Sequence, residues 1–170
     1  MQQLLIMPDE VSALSRDMST HVDENRVTSL ILEAQDIDIK SAIGDALFID
    51  LQENQYKYTE LLDGGVYECK CGRFTFAGLR KALAYYSYAR LVKQGDSNVT
   101  RFGFVVKESE HSHRPDYREK VAAYNDAFSV ADTYMKECLR YLVHNRDKYP
   151  LYQGNGGMTA NRTIYRVLGD

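Results

Sequence analysis

The residues that most resemble a chemical site are two cysteines, Cys69 and Cys71, in the segment VYECKCGRFTF at residues 66–76. Thiolates and imidazole nitrogens are the usual ligands of structural zinc, and His111 and His113 are the available partners for a four-ligand site. Zinc sites normally use C-x2-4-C spacing, whereas two residues separated by one in a strand start about 6.8 Å apart. This spacing argues against a metal site. We expect no metal and no cofactor, with a zinc hairpin left open as the alternative.

Without a metal, the same segment fits a β-hairpin with Cys71 and Gly72 as a two-residue turn, because glycine tolerates the positive φ that such turns require. The alternation of the flanking residues then places four apolar side chains on one face, namely Tyr67, Cys69, Phe74 and Phe76. Polar side chains occupy the other face, which is typical of a half-buried ribbon. We predict that this hairpin packs on helices through its apolar face and presents its tip to a neighbouring subunit.

The other residues that could do chemistry form no recognisable catalytic set. The four histidines lie in predicted loops or at helix ends, and the sequence has no nucleophile elbow, Walker motif or dinucleotide-binding pattern. Four carboxylates fall on what we predict to be the solvated face of an amphipathic helix: Asp36, Asp38, Asp45 and Asp50. The sequence therefore predicts a protein that is not an enzyme and has no catalytic residues.

Composition and charge narrow the class of protein. The chain has 170 residues, a formal net charge of −3 and 44% apolar residues, values typical of one globular domain. It lacks the basic character that duplex DNA binding normally requires. We expect no membrane span, and the odd, low cysteine count argues against a secreted disulfide framework. Synthesis in the cytosol is expected.

Helical periodicity is clearest over residues 115–145, where apolar residues recur at steps of three and four. The positions are Tyr117, Val121, Tyr124, Phe128, Ala131, Met135, Cys138 and Leu142. A second helix over residues 76–94 confines its polar residues to one narrow stripe. We therefore expect it at the centre of the domain or at a subunit interface.

Further helices precede these two. Asp23 is a suitable N-cap for a helix that carries four apolar residues on one face: Val27, Leu30, Ile31 and Ala34. After a predicted kink near residues 36–38, a second segment repeats apolar residues every four positions: Ile39, Ile43, Leu47 and Leu51. Short helices are predicted over residues 8–14 and 56–63, and a strand over residues 99–106.

These elements predict a mainly α fold. It is a helical bundle with one long C-terminal helix, a small β-hairpin insertion and an extended C-terminal arm. Residues 1–150 form the helical domain in this interpretation. Residues 151–170 form the arm, because the sequence after Pro150 turns to Gly, Asn and Thr before it closes on TIYRVL.

Several segments of the sequence resemble those of a known family. They are EAQDIDIKSAIGDALFIDL, YTELLDGGVYE, FTFAGLRKALAYYSYARLV, NVTRFG and KYPLY, which occur in this order within residues 1–152. Together they resemble the head–tail connector (adaptor) proteins of tailed bacteriophages and prophages of gut bacteria, including crAss-like phages. The resemblance implies a virion structural protein that forms a homo-oligomeric ring, typically twelve-fold, between the portal protein and downstream tail or neck proteins. Genomic DNA passes through such a ring without sequence-specific binding.

The resemblance also implies where the chain acts and which residues meet partners. The protein is expected at the head–tail junction of the virion, after synthesis in the host bacterial cytoplasm. The expected partner-binding residues are the hairpin tip, the NVTRFG segment and the C-terminal arm: Cys71, Gly72, Arg101, Phe102, Ile164, Tyr165 and Arg166. The arm is expected to add a strand to a partner's sheet edge. The alternative function is a cytosolic helical adaptor with a small zinc-binding hairpin.

Overall fold

A computed structural model describes residues 3–19, 22–70, 72–94, 97–100, 103–106 and 117–154, with only the backbone for residues 97–100 and 103–106. The helices are α1 (Pro8–Leu14), α2 (Glu24–Ala34), α3 (Lys40–Ile43), α4 (Asp45–Glu53), α5 (Thr59–Asp63), α6 (Leu79–Gln94) and α7 (Tyr117–His144). A π-helical turn (Gln35–Ile39) joins α2 to α3, and a 3-10 turn (Gln55–Tyr58) precedes α5. Two antiparallel hairpins pair β1 (Gly65–Cys69) with β2 (Gly72–Phe76) and β3 (Ser97–Thr100) with β4 (Gly103–Val106). The fold is mainly α, with the predicted hairpin and long C-terminal helix.

The centre of the bundle is the antiparallel pair α6 and α7. Ring contacts run in opposite directions along the two helices: Lys81 lies over the Tyr134 ring, Tyr86 contacts Phe128, and Lys93 lies over Tyr124. Helix α6 also packs against α1, α2 and α5, and seven of its residues are buried. This confirms the central position that its narrow polar stripe predicts.

Helix α6 begins at Leu79 and not at Phe76, because two glycines bring separate backbone segments together just before it. Gly64 and Gly78 have φ of +80° and +84°. A Cβ on Gly64 would lie 2.5 Å from the Phe76 carbonyl oxygen, and one on Gly78 would lie 2.4 Å from the Leu62 carbonyl oxygen. The predicted start of this helix was therefore wrong by three residues: Phe76 ends β2, and the chain turns at Gly78.

The upstream helices agree with their predicted pattern. The Asp23 carboxylate accepts a hydrogen bond from the Asn25 backbone N–H at 3.0 Å, so it caps α2. The predicted kink is the π-helical turn, and Gly44, with φ of +88°, separates α3 from α4. All eight predicted core positions on these segments are buried: Val27, Leu30, Ile31, Ala34, Ile39, Ile43, Leu47 and Leu51.

Residues 3–6 belong to no helix or strand, yet side chains from distant positions hold their backbone. The partners are Gln35, Gln52, Gln55 and Arg80, at distances of 2.8 to 3.2 Å. The fully buried Gln35 amide contributes twice, accepting from the Leu5 N–H and donating to the Gln3 carbonyl. Because these polar groups are satisfied, Leu5 and Ile6 can be buried in the core.

The first hairpin has the predicted faces but a different turn. Tyr67 pairs with Phe74 and Cys69 with Gly72, so Lys70 and Cys71 separate the strands. The predicted turn at Cys71 and Gly72 was therefore wrong. The two registers differ by an even number of residues, so both place the same apolar side chains on one face. The predicted strand at 99–106 is a second hairpin, β3–β4, with residues 101–102 between its strands.

The core extends past the predicted domain boundary at residue 150. Tyr149 and Tyr152 are buried in the same cluster as α6 and α7, with 3% and 6% of their surface exposed. The Tyr149 and Tyr141 hydroxyls lie 3.0 Å apart, which ties the segment after α7 back to that helix. Residues 155–170 of the predicted arm lie outside the described part of the chain.

Candidate partner-binding site

The β1–β2 hairpin is held on the bundle by an aromatic cluster. Phe76 stacks on Tyr141 of α7 with ring centroids 4.1 Å apart. Tyr67 contacts the same ring at 5.2 Å and stacks on Phe74 at 5.7 Å. Such aromatic pairs stabilise by about 0.5–1.5 kcal/mol each beyond their area burial. The hairpin is therefore a fixed support that presents the exposed Gly72 at its tip.

Of the predicted partner-binding residues, the structure describes only Gly72. Gly72 begins β2 at the tip with φ of +137°, and a Cβ on it would lie 3.8 Å from the Phe74 ring, an ordinary van der Waals contact. Six others lie outside the described residues: Cys71, Arg101, Phe102, Ile164, Tyr165 and Arg166. Of these, Arg101 and Phe102 fall between β3 and β4 in the sequence, where the second hairpin reverses.

The described thiols are not arranged as a metal or nucleophile site. Cys69 is partly buried beside the aromatic cluster, and Cys138 is buried in the core. Burial raises the pKa of the Cys138 thiol to about 12, so it stays protonated at neutral pH. The described part of the chain holds no group of three or more His, Cys, Asp or Glu side chains that could bind a metal. Cys71, His111 and His113 lie outside it, so the zinc hairpin remains a hypothesis.

One predicted surface carboxylate is buried. The Asp38 side chain is only 4% exposed and forms an ion pair with Arg90 of α6 at 2.6 Å. Arg90 also contacts Glu33 at 3.1 Å, so one guanidinium joins α2, the π-helical turn and α6. The prediction of a solvated face was wrong for Asp38, because the π-helical turn rotates the helix face by one residue. Asp36 and Asp45 are exposed, as predicted.

Two further carboxylates, those of Asp50 and Glu60, accept hydrogen bonds from residues outside their own helices. The Tyr58 hydroxyl donates to Asp50, and this hydrogen bond lowers the pKa of the Asp50 carboxyl. Lys148 donates to Glu60, which lowers the pKa of Glu60 in the same way. Burial, followed by the contacts with Tyr149 and Glu60, raises the pKa of Tyr141. These groups stay in the protonation states that hydrogen-bond them, which suits a structural role.

Sequence reasoning missed a small pocket where α6 ends and α7 begins. It has a volume of about 60 Å³ and is lined by Lys93, Tyr117, Lys120, Val121 and Tyr124. Its wall is mostly apolar, with lysine side chains from both helices. The lining residues of α7 follow i, i+3, i+4 and i+7 spacing, which continues the core face of the helix.

The pocket lies where the first turns of α7 continue past the end of α6, since Lys93, next to the last residue of α6, lies over Tyr124 and α7 begins at Tyr117. Tyr117 is 66% exposed, although its periodicity predicts a buried position, and burial on α7 becomes complete first at Ala127. The sequence feature that could have predicted the pocket is a lysine near aromatic residues at the end of α6, Lys93, and another at the start of α7, Lys120. This end of the α6–α7 pair therefore combines apolar and cationic side chains around one pocket.

A comparison with known families gives one match. The model of a family of unknown function, DUF6712, matches residues 39–162, more than half of the chain. The chain belongs to the DUF6712 family. The matched range in this DUF6712 protein contains α3 to α7, both hairpins and the pocket, whereas α1 and α2 lie outside it. No curated protein and no solved structure matches the chain. No helix in the described residues is long and apolar enough to cross a membrane.

Proposed function

We propose that this DUF6712 protein is a head–tail connector of a tailed bacteriophage or prophage. In this proposal, copies of the chain form a ring between the portal protein and downstream tail or neck proteins, around the channel through which genomic DNA passes. The protein acts in the virion at the head–tail junction after synthesis in the host bacterial cytoplasm. It is a structural protein without catalysis.

The observation that carries the proposal is the contrast between a packed body and an incompletely covered end. The body buries most of its apolar residues in one core and pairs its buried charges, as Asp38 and Arg90 do. At the first turns of α7, which follow the β3–β4 hairpin in the chain, Tyr117 is exposed and Val121 and Tyr124 are only half-buried beside a pocket. Aromatic and apolar side chains that stay accessible together beside a pocket are typical of a protein–protein contact. The sequence resemblance over residues 1–152 supports the particular class of assembly.

The segments at the two ends of α7 are proposed to contact different partners. Before the start of α7, the β3–β4 hairpin, with Arg101 and Phe102 between its strands, is proposed to contact neighbouring copies. At the other end, Tyr152 is buried in the core shortly before residues 155–170 of the sequence. Ile164, Tyr165 and Arg166 in that arm are proposed to add a strand to the sheet edge of the portal or a tail protein.

The charge of the protein is compatible with a DNA channel. A formal net charge of −3 gives a weak field that neither attracts nor strongly repels phosphate over the whole surface. A ring of such subunits lets DNA pass without holding it. Sequence-specific readout, which requires side chains at base edges, is not part of the proposal.

Electron microscopy of the purified protein, with and without the cognate portal protein, tests the proposal. Rings, or added density on the tail-facing end of the portal, are the expected result. A chain that stays monomeric and ignores the portal would refute the connector assignment.

Removing residues 155–170 sharpens this test, because the deletion leaves the buried Tyr152 in place. We expect an unchanged thermal unfolding transition with weaker attachment to the portal or tail partner. Unchanged attachment would rule out the arm as a partner contact.

A further inference from the structure

The pocket between α6 and α7 has the size of a side-chain site. Its volume of about 60 Å³ is far below the roughly 300–1,000 Å³ of pockets that enclose small-molecule ligands. Tyr117 and Val121 give it an apolar lining, and Lys93 and Lys120 bring two ammonium groups to it. Such a site suits one aliphatic side chain with carboxylates on either side of it.

Helix α4 of the same chain carries that combination on its exposed face. Ile49 is 55% exposed, although it is a large apolar residue on a helix whose opposite face is buried. Asp45 lies four residues before it and Glu53 four residues after it, and both are exposed. Residues four apart lie on one helix face, so the isoleucine is flanked by a carboxylate one turn away on each side.

We propose that Ile49 of one copy inserts into the α6–α7 pocket of a second copy, with Asp45 and Glu53 meeting Lys93 and Lys120. This inference deepens the proposed function, since it rests on self-association and names the contact between neighbouring subunits. The apolar anchor supplies affinity, and the charge pairs set the register and reject the reversed orientation.

The contact joins two different surfaces, which has a geometric consequence. In a two-fold dimer, the pocket of each copy would have to meet the stripe of the other copy at the same time. Here each copy offers the pocket at one end of α6 and α7 and the Asp45, Ile49 and Glu53 stripe on α4. Such head-to-tail contacts use both surfaces of every subunit and produce rings when the rotation closes.

Charge reversal on both sides tests the contact. Sedimentation velocity of the full chain across a concentration series measures self-association without the portal protein. Reversing the pocket in K93E/K120E is expected to weaken association at least about 100-fold, and the stripe variant D45K/E53K is expected to do the same. An equimolar mixture of the two variants is expected to associate again, because it restores one complementary contact per pair.

Matched controls separate this contact from general effects of charge. The variant K136E/R140E makes the same charge change at two exposed positions of α7 away from the pocket, and is expected to associate like the wild type. The substitution Ile49→Ser is expected to weaken association about 10-fold, whereas Ile37→Ser, at an equally exposed isoleucine, leaves it unchanged. Circular dichroism confirms that each variant is folded.

The outcomes distinguish this contact from the connector assignment. If the wild type forms rings but the two reversed variants form them equally well, the contact is refuted and the connector assignment stands. If the reversed variants fail singly and recover on mixing, but no sample binds the portal, the contact stands and the connector assignment fails. A wild type that stays monomeric at all concentrations refutes the contact.

Discussion

Two tyrosines on α7 show how differently the two ends of the α6–α7 pair are covered by other segments. Tyr141 is fully buried, its ring stacks on Phe76, and its hydroxyl meets Tyr149 at 3.0 Å. Tyr117 lies on the same helix and is 66% exposed beside a pocket. The side chain is the same, but β2 and the segment after α7 cover one position, whereas among the described residues no element covers the other.

This difference separates what holds the fold together from what is available to a partner. In the body, backbone contacts, buried ion pairs and aromatic stacking leave little freedom, so substitutions there act on stability. At the start of α7 the side chains are less buried, so we expect substitutions there to have little effect on the free energy of unfolding and, under the proposed contact, to act on association. Stability measurements on the body are therefore the natural counterpart of the association experiments on the pocket.

The largest expected effect is at the glycine pair below the first hairpin. Gly64→Ala places a Cβ about 2.5 Å from backbone atoms of the segment that precedes α6, at a φ of +80° that alanine rarely adopts. Backbone atoms cannot move aside as a flexible side chain can, so we expect a loss on the order of 4–5 kcal/mol in the free energy of unfolding, or failure to fold. Urea denaturation measures this loss.

The adjacent Gly65 is the control for this change, because a Cβ there meets no atom within 4 Å. Gly65→Ala is expected to change the free energy of unfolding by less than about 1 kcal/mol. Equal losses at the two glycines would mean that the close approach of the two backbone segments does not limit stability.

The second largest effect is expected at the buried ion pair. Asp38→Ala leaves the Arg90 guanidinium buried with only Glu33 nearby, and removing one partner of a buried pair costs about 3–5 kcal/mol. Asp36→Ala, two residues earlier on the exposed side, is expected to stay within about 0.5 kcal/mol of the wild type. A loss at Asp38 no greater than that at Asp36 would show that the pair is as well solvated as a surface salt bridge.

The third effect is a decline of stability in alkaline solution. Burial raises the pKa of Cys138 to about 12, and burial also raises the pKa values of Tyr141 and Tyr149. In the unfolded chain these groups ionise near their ordinary values of about 9 for the thiol and 10 for the phenols. Above those values the unfolded chain binds fewer protons than the folded one, so stability falls as pH rises.

We expect a flat free energy of unfolding from these groups below about pH 9. Above it we expect a decline of up to about 1.4 kcal/mol per pH unit for each group that ionises only on unfolding. Urea denaturation at pH 8, 9, 10 and 11 measures the slope. Stability that is constant or rises between pH 9 and 11 would contradict the burial of these groups.

Much of the fold follows from periodicity, because a helix that packs on one side must repeat its apolar residues at the helical spacing. The Asp23 cap, the α2 core face and the extent of α7 all follow from such local rules. The faces of the first hairpin follow as well, since they depend only on alternation. The predicted turn at Cys71 and Gly72 was wrong, because the observed register satisfies the same alternation as the predicted one.

The residues that periodicity misplaces are those whose environment depends on distant segments. Asp38 is buried because a π-helical turn redirects it toward Arg90, fifty-two positions later in the chain, and a polar residue carries no sign of that partner. Tyr117 is exposed because α7 continues past the end of α6. Helical spacing alone cannot show where a neighbouring helix ends. The pocket combines both effects, since residues from two helices line it on either side of a long connection.

The hydrogen bonds to residues 3–6 constrain the order in which the chain can fold. These residues are synthesised before their partners, which follow at Gln35, Gln52, Gln55 and finally Arg80, 75 positions after Leu5. Contacts across such long separations form slowly, because the intervening chain must first be closed into a loop. We therefore expect this segment to dock late. Until the ribosome has released α6, Leu5 and Ile6 have no finished core to enter and stay accessible to chaperones.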